Sequence, residues 1–289
     1  MERVIFDCDN TFGLPEKDID DGLTILYLLG SSAVNLMGLT LTYGNAELAE
    51  VAKGTQTFIS TFDVTLPVYL GAKNGQNRRS DASRFLAEEV AKYPQEMTII
   101  ATGALTNLLG AVEYYPDFFQ KVKRIILMGG ILAPLVVNGH GVKELNFSCD
   151  PEATAAVLLS AAPLVIMTGH LTAQAYFPRA LIESLVSGGI PQNQWLRQVM
   201  DQWCDWNLEH LGMDGFCNWD MTTAIYLEKP ELFSDESVWL SSQQDTTTGL
   251  MRLTSGPKLG KQVTMPERLL DVQGFNALMM TTIQQILKK

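Results

Sequence analysis

The stretch from Phe6 to Asp21, FDCDNTFGLPEKDIDD, decides the fold. A short apolar run of strand type, Val4-Ile5-Phe6, leads into it. Leu23, Ile25, Leu26, Leu28 and Leu29 follow at helical spacing. Asp7, Asp9, Asp18, Asp20 and Asp21, with Glu16 among them, therefore crowd the place where a strand hands over to a helix. In α/β folds that edge is where ligands bind. So many carboxylates repel one another unless something positive neutralises them, and a hard divalent cation held by oxygens does so economically. The plainer alternative is a solvated acidic loop in which Asp20 or Asp21 caps the helix.

Outward from that stretch, apolar runs alternate with amphipathic ones. Strands are expected at Val4–Asp7, Val34–Thr42, Met97–Thr102, Arg124–Met128 and Leu164–Thr168. Helices are expected at Asp21–Leu29, Ala46–Ser60, Ala82–Lys92, Leu105–Val112 and Pro151–Leu159. The alternation predicts β-α units feeding a mostly parallel sheet with helices on both faces. The run Ile125-Ile126-Leu127-Met128 is apolar throughout, as a strand covered on both faces should be. After about Pro178 the pattern changes. Ser187-Gly188-Gly189-Ile190-Pro191 reads as a break, and Gln192–Leu211 as a long helix carrying Trp195, Trp203 and Trp206. Those aromatics are expected in the core or at a subunit contact rather than against a ligand. Strand-like Trp239–Ser242, Thr248–Thr254 and Gln262–Leu270 precede a closing helix over Gly274–Leu287.

The chain has 289 residues, 46% of them hydrophobic, enough for one large core. Its net charge of −11 argues against a nucleic-acid backbone as partner. No apolar run is long enough to span a bilayer, and no signal-peptide pattern opens the chain. Cys8, Cys149, Cys204 and Cys217 are scattered without a CxxC pair, so free thiols in a reducing cytoplasm are expected. The three histidines have no zinc-type spacing.

Polar clusters fall where the apolar strands end: Tyr43-Gly44-Asn45, Thr102 to Asn107, Met128-Gly129-Gly130, Asn138, Glu144-Leu145-Asn146 before Asp150-Pro151-Glu152-Ala153, and Trp219-Asp220. Strand C-termini of a parallel sheet share one edge, so these clusters can converge on the acidic stretch. Their order and spacing resemble the inosine–uridine-preferring nucleoside hydrolase family of calcium-dependent N-ribohydrolases. Asp7-Cys8-Asp9 and Asp20-Asp21 match its DxDPGxDD opening, Thr102–Asn107 its TGPLTN-like segment, and Met128–Gly130 its MGG. Glu144–Asn146 with Asp150–Ala153 matches its E-x-N and DPEA. The resemblance covers the chain to about Tyr226 and weakens beyond.

It implies a single α/β domain over residues 1–289, with 178–289 contributing a helical and hairpin region over the site. It implies hydrolysis of an N-ribosidic bond to ribose and free base, with calcium as cofactor and water as nucleophile. Asp9, Asp21, Asp220 and the backbone carbonyl of Thr102 would hold Ca2+, and Asp9 would be the base for the attacking water. Asp20, Asn45, Met128, Asn138, Glu144 and Asn146 would hold the ribose of a nucleoside substrate. A homodimer or homotetramer is implied as well. The chemistry agrees with the residue types. Glycosidic cleavage passes through an oxocarbenium-like sugar, whose positive charge carboxylates stabilise. Asn offers both donors and acceptors to vicinal hydroxyls.

Two departures stand out. Asn10–Asp18 replaces a tight Pro-Gly turn, so Asp9 must reach the metal of Asp21 across a longer loop. Trp219 stands where one branch of the family has a His that protonates the departing base, and Gly71-Ala72-Lys73-Asn74-Gly75 lacks a second His. Tryptophan at that place resembles the purine-preferring branch, with an indole stacked on the base. His140, in the Asn138–Gly141 loop, is either a proton donor or a surface residue.

Two competing readings remain. Phe6-Asp7-Cys8-Asp9-Asn10-Thr11 also fits the DxDxT signature of haloacid-dehalogenase-type magnesium phosphatases, with Asp7 as nucleophile, Asp9 as acid/base and Val165–Thr168 as second motif. That class then needs a Lys followed by an acidic pair, and nothing of the kind follows Lys258 and Lys261. The other reading is a non-catalytic nucleoside- or ribose-binding protein on the same scaffold.

Overall fold

A computed structural model describes residues 1–186 and 189–288. Among the described residues thirteen strands are formed. They are β1 (Glu2–Cys8), β2 (Val34–Leu41), β3 (Val68–Leu70), β4 (Met97–Ala101), β5 (Arg124–Met128), β6 (Leu135–Val137), β7 (His140–Val142), β8 (Leu164–Met167), β9 (Tyr176–Pro178), β10 (Gly215–Cys217), β11 (Ser237–Ser241), β12 (Leu253–Thr254) and β13 (Gly260–Thr264). The helices are α1 (Asp20–Gly30), α2 (Leu48–Thr61), α3 (Asp81–Lys92), α4 (Thr106–Val112), α5 (Phe118–Lys121), α6 (Pro151–Leu158), α7 (Gly169–Thr172), α8 (Ile182–Leu185), α9 (Pro191–Leu211), α10 (Met221–Glu228) and α11 (Val272–Leu287).

Nine strands form one sheet in the order β12-β11-β13-β8-β5-β4-β1-β2-β3. Every pairing from β13 to β3 is parallel, and β11 joins β12 and β13 antiparallel. Two small antiparallel pairs, β6–β7 and β9–β10, lie outside it.

The period of two along each central strand divides the core. Val4, Phe6 and Cys8 enter one cluster and Ile5 the other. Ile100, Ile126, Val165 and Met167 join the first, while Ile99, Ala101, Ile125, Leu127 and Ile166 join the second. The first layer is closed by α1, α9, α10 and α11, and the second by α3, α4 and α6. Both faces are therefore covered, which is why these strands carry almost no polar residue.

Register brings the strand ends level. Asp7 lies opposite Thr40 and Ala101, Ala101 opposite Leu127, and Met128 opposite Met167. The loops after β1, β2, β4 and β5 consequently open on one edge.

The expected elements form with shifts of one or two residues in the first two-thirds of the chain. The late strands are shorter than expected. Only Leu253–Thr254 of the Thr248–Thr254 run is a strand, because Gly249 turns in the left-handed region (φ +70°) and Leu250 bridges to Ile131 instead. The run from Gln262 stops at Thr264, two residues before Pro266, which has no N–H for a ladder. Of the break expected at Ser187–Pro191, Ser187 and Gly188 lie outside the described residues, and Pro191 opens α9. Cys8, Cys149, Cys204 and Cys217 are free. No described helix is long and apolar enough to cross a membrane.

Candidate active site

The shared edge gathers carboxyl groups. Asp9 follows β1 and is fully buried. Its Oδ2 accepts the Asn45 backbone N–H and its Oδ1 the Asn45 side-chain amide at 3.5 Å, so the loop after β2 holds both oxygens. Asp20 and Asp21 form the first turn of α1, and Asp220 immediately precedes α10. Helix N-termini favour negative charge, which helps place these side chains here. The Thr102 hydroxyl, after β4, donates to Asp21 Oδ1 at 2.7 Å. The Asp220 N–H donates to Asp20 Oδ2 at 2.8 Å, joining residues 200 positions apart. The carboxyl groups of Asp9 and Asp21, of Asp21 and Asp220, and of Asp20 and Asp220 are close enough to shift one another's ionisation.

Close approach requires small residues. A Cβ on Gly103 would sit 2.5 Å from the Thr42 methyl and 3.2 Å from Asp9 Cβ, and one on Gly44 would overlap Asp9 Oδ2.

Burial pushes the Asp9 carboxyl above the usual carboxylate range. Burial, then the charges of neighbouring aspartates, pushes Asp21 and Asp220 well above it and Asp20 up to about 6. Among the described residues no Lys or Arg forms an ion pair with any of them. Nor, as the side chains stand, are three His, Cys, Asp or Glu groups of the described residues spaced as a ready cation cage. The carboxyls lean on one another in pairs instead. The donor set nevertheless fits a hard divalent cation. Its groups are all oxygen, adjacent, buried and without a counter-charge, an arrangement that costs free energy until a cation enters.

Above the carboxyls opens a cavity of about 370 Å³. Asp20, Asn45, Thr102, Met128, Glu144, Asn146, Trp219 and Asp220 all line it, and Asp9 and Asp21 lie beneath, held by Asn45 and Thr102. Glu144 accepts three backbone N–H groups, from Gly130, Phe147 and Ser148, at 2.8–3.0 Å. The Asn146 amide donates to the Met128 carbonyl at 3.0 Å.

Asn138 is not brought to this cavity. It stands at a left-handed turn (φ +48°) between β6 and β7, and its amide donates to the carbonyls of Leu211 and Gly212 at 2.7 and 3.2 Å. The end of α9 takes the side chain that the sequence assigned to ribose. His140 is exposed at the head of the same hairpin and does not line the cavity.

On the long helix the tryptophans join the core as expected, Trp203 buried in it and Trp195 and Trp206 packed against it, and two of them also reach the cavity. Trp195 is core, against Phe12 and Phe62. Trp203, Trp206, Asn207 and Leu211, however, line the cavity across from the sheet edge. Trp203 stacks on Trp206 (4.8 Å, 12°), which stacks on His210 (4.3 Å, 14°).

The expanded loop is a folded plug. Phe12 meets Phe58 and Trp195 edge-on at 5.3 and 5.1 Å. The Asn10 amide donates to Thr55 at 3.2 Å and the Thr11 hydroxyl to the Asp18 carbonyl at 2.9 Å. Asp18 itself lines the cavity.

Several motif residues hold the scaffold instead. Asp7 Oδ1 accepts Thr40 Oγ1 at 2.6 Å and Asn107 Nδ2 at 2.8 Å, and Asp150 caps α6. Asp7 is fully buried and its Oδ1 is engaged by both Thr40 and Asn107, so it ties β1 to β2 and α4 rather than presenting a nucleophile as the phosphatase reading needs.

Known proteins match this arrangement. The chain is 28% identical over 290 residues to "Probable uridine nucleosidase 2" of Arabidopsis thaliana, covering 89% of this chain and 87% of that protein. A plant nucleoside hydrolase, PpNRh1, superposes with a TM-score of 0.83 at 22% identity, covering 98% of each chain. A purine-preferring ribonucleoside hydrolase from Gardnerella vaginalis gives 0.82 at 21%, covering 99% of each. Residues 4–277 match the family model described as inosine-uridine preferring nucleoside hydrolase. The chain belongs to that family and is a nucleoside hydrolase, cleaving the N-glycosidic bond of ribonucleosides.

Proposed function

We propose that the buried carboxyl cluster holds Ca2+ and that the cavity above it seats a purine ribonucleoside, ribose towards the carboxyls and base towards the tryptophans. The observation that carries this is the set Asp9, Asp20, Asp21 and Asp220, buried together without an ion-pair partner, of which Asp20 and Asp220 line a cavity with an aromatic wall. Asp9, Asp21, Asp220 and the Thr102 carbonyl are the ligands. When bound, calcium supplies positive charge that acidifies water and fixes a ribose diol.

The chain's own groups do the rest. Asp9, held by both donors of Asn45, takes the proton of the attacking water. Asp20, Asn45, Met128, Glu144 and Asn146 position the ribose, and Asn138 has no part in it. As the bond to the base breaks, positive charge grows at C1′, and the surrounding carboxylates stabilise it. The base lies between Trp219 and the Trp203–Trp206 stack, where stacking contributes roughly 1–3 kcal/mol. None of the described residues lining the cavity is a histidine, so the base departs without an imidazole acid beside it.

Residues 1–289 act as one nucleoside-hydrolase-like unit, with 178–289 supplying the aromatic wall. Resemblance to the family supports a homodimer or homotetramer, and the four free thiols a reducing, cytoplasmic setting.

The test is release of reducing sugar from a panel of purine and pyrimidine nucleosides, with and without a calcium chelator. The expected result is calcium-dependent release, faster from purine nucleosides, and its loss in Asp9→Asn. Full activity in the chelator, or in Asp9→Asn, contradicts the assignment.

A further inference from the structure

A second cavity, of about 640 Å³, adjoins the first. The two meet along the strip Gly141 to Glu144, which lines both. The outer walls are Pro134 and Leu250, with Ser148, Thr247 and Thr248 at the side. None of these five borders the first cavity, and the chemistry above uses none of them.

A ribose has three directions of exit. In the orientation proposed above, its diol faces the carboxyls and C1′ carries the base to the tryptophans. The remaining direction, through C4′ and C5′, is then free to run towards the wall at Lys143-Glu144. Beyond that wall the second cavity opens.

Few hydrogen-bonding positions on this wall remain open once Glu144 has positioned the ribose. Glu144 already accepts three N–H groups, and the Asn138 amide is turned away to Leu211 and Gly212. The second cavity takes hydrocarbon from Ile131, Leu135 and Val142, which it shares with the first, and from Pro134 and Leu250, which it does not share. Lys143 is the one cation lining this cavity among the described residues; it is exposed and follows directly on the hydrocarbon of Val142. A 5′-phosphate would meet that single amine beside the Glu144 carboxylate in a chain of net charge −11. A neutral apolar substituent would meet carbon. The far wall is also fixed. The Ile131 N–H donates to the Gly249 carbonyl and the Met251 N–H to the Ile131 carbonyl, both at 2.9 Å, and Thr246 Oγ1 donates to the Pro151 carbonyl at 2.7 Å. Leu250 is thus held on this wall rather than hanging from a free loop.

We propose that the second cavity is a subsite for an uncharged, apolar substituent at ribose C5′, so that the enzyme accepts 5′-thioether ribonucleosides. This rests on the ribose orientation given above. The reaction is unchanged: the N–C1′ bond breaks, water's oxygen bonds to C1′, the base gains a proton, and the thioether stays intact.

The experiment compares a purine nucleoside with its 5′-methylthio, 5′-butylthio and 5′-phosphate forms on the full chain with calcium. Each methylene that becomes buried should raise kcat/KM about fourfold, through KM and not kcat. Leu250→Asp, at a position 39% exposed and outside the first cavity, should abolish the gain and leave the parent nucleoside's turnover unchanged. Thioethers cleaved no better than the parent, a preference for the 5′-phosphate, or a gain that survives Leu250→Asp overturns the subsite. Failure to cleave any nucleoside overturns the hydrolase assignment separately. Calorimetric titration then still decides the subsite, because butylthio binding no tighter than parent binding refutes it.

Discussion

Replacing Asp7 by Asn should change the sign of its effect on stability between acid and alkaline solution. Asp7 is wholly buried, and burial, followed by the charge of Asp9, lifts its carboxyl from an ordinary 3.8 to about 7 against the hydrogen bonds of Thr40 and Asn107. A raised carboxyl binds its proton more tightly folded than unfolded. Between those two values the unfolded chain has lost its proton while the folded one keeps it, so stability falls as pH rises through the window. Above it, ionisation of Asp7 costs about 4 kcal/mol relative to strong acid. Asn has no such term. Its Oδ1 can still accept from Thr40 and Asn107. Its NH2 would occupy the place of Asp7 Oδ2, which has no partner, and a buried unpaired donor costs about 2 kcal/mol.

The balance for Asp7→Asn is a loss of about 2 kcal/mol at pH 4 and a gain of about 2 kcal/mol at pH 8, crossing near pH 5.5. Urea unfolding of both proteins in chelator at three pH values measures it. A difference that stays constant with pH refutes the electrostatic part, and a loss at every pH refutes the assumption that the amide keeps both hydrogen bonds. The same variant should still hydrolyse nucleosides, whereas a phosphatase would lose its nucleophile.

Trp206→Ala and Trp219→Ala should each lower kcat/KM for purine nucleosides between about fivefold and a hundredfold, following the stacking energy of a base on an indole; unchanged steady-state rates would remove that wall from the base site. Asn138→Ala should leave kcat/KM within about twofold and cost about 1 kcal/mol of stability, since its amide serves the Leu211 and Gly212 carbonyls; a large rise in KM would return it to the ribose. In chelator, Tm should fall as pH rises from about 4 through 6, because Asp9, Asp20, Asp21 and Asp220 are all held above the ordinary range by burial. Calcium should restore more stability at pH 8 than at pH 5, as seen by scanning calorimetry; equal stabilisation at both would place the ion elsewhere.

What could be read from the sequence and what could not divide along a physical line. The apolar runs at Val4–Phe6 and Arg124–Met128 name their own environment, because a strand covered on both faces admits almost nothing else. Once those strands are parallel, their C-terminal loops share an edge, so Asp9, Asn45, Thr102 and Met128 were placed together by topology alone. Asn138 and the α9 tryptophans were decided by contacts that no local pattern encodes. Asn138 could serve a sugar or a helix end, and the carbonyls its amide meets belong to Leu211 and Gly212, more than seventy residues on. Trp195 and Trp203 belong to the same helix face family, yet one meets Phe12 from the expanded loop and the other meets the cavity. That difference depends on how far the loop fills the space beside α9. The expansion of Asn10–Asp18 therefore acts at a distance. By burying Phe12 under Trp195 it fixes the start of α9, and the helix then presents Trp203, Trp206 and Asn207 about two to three turns later, at the cavity. The departure from the family's tight turn and the aromatic wall over the site are two ends of one packing arrangement.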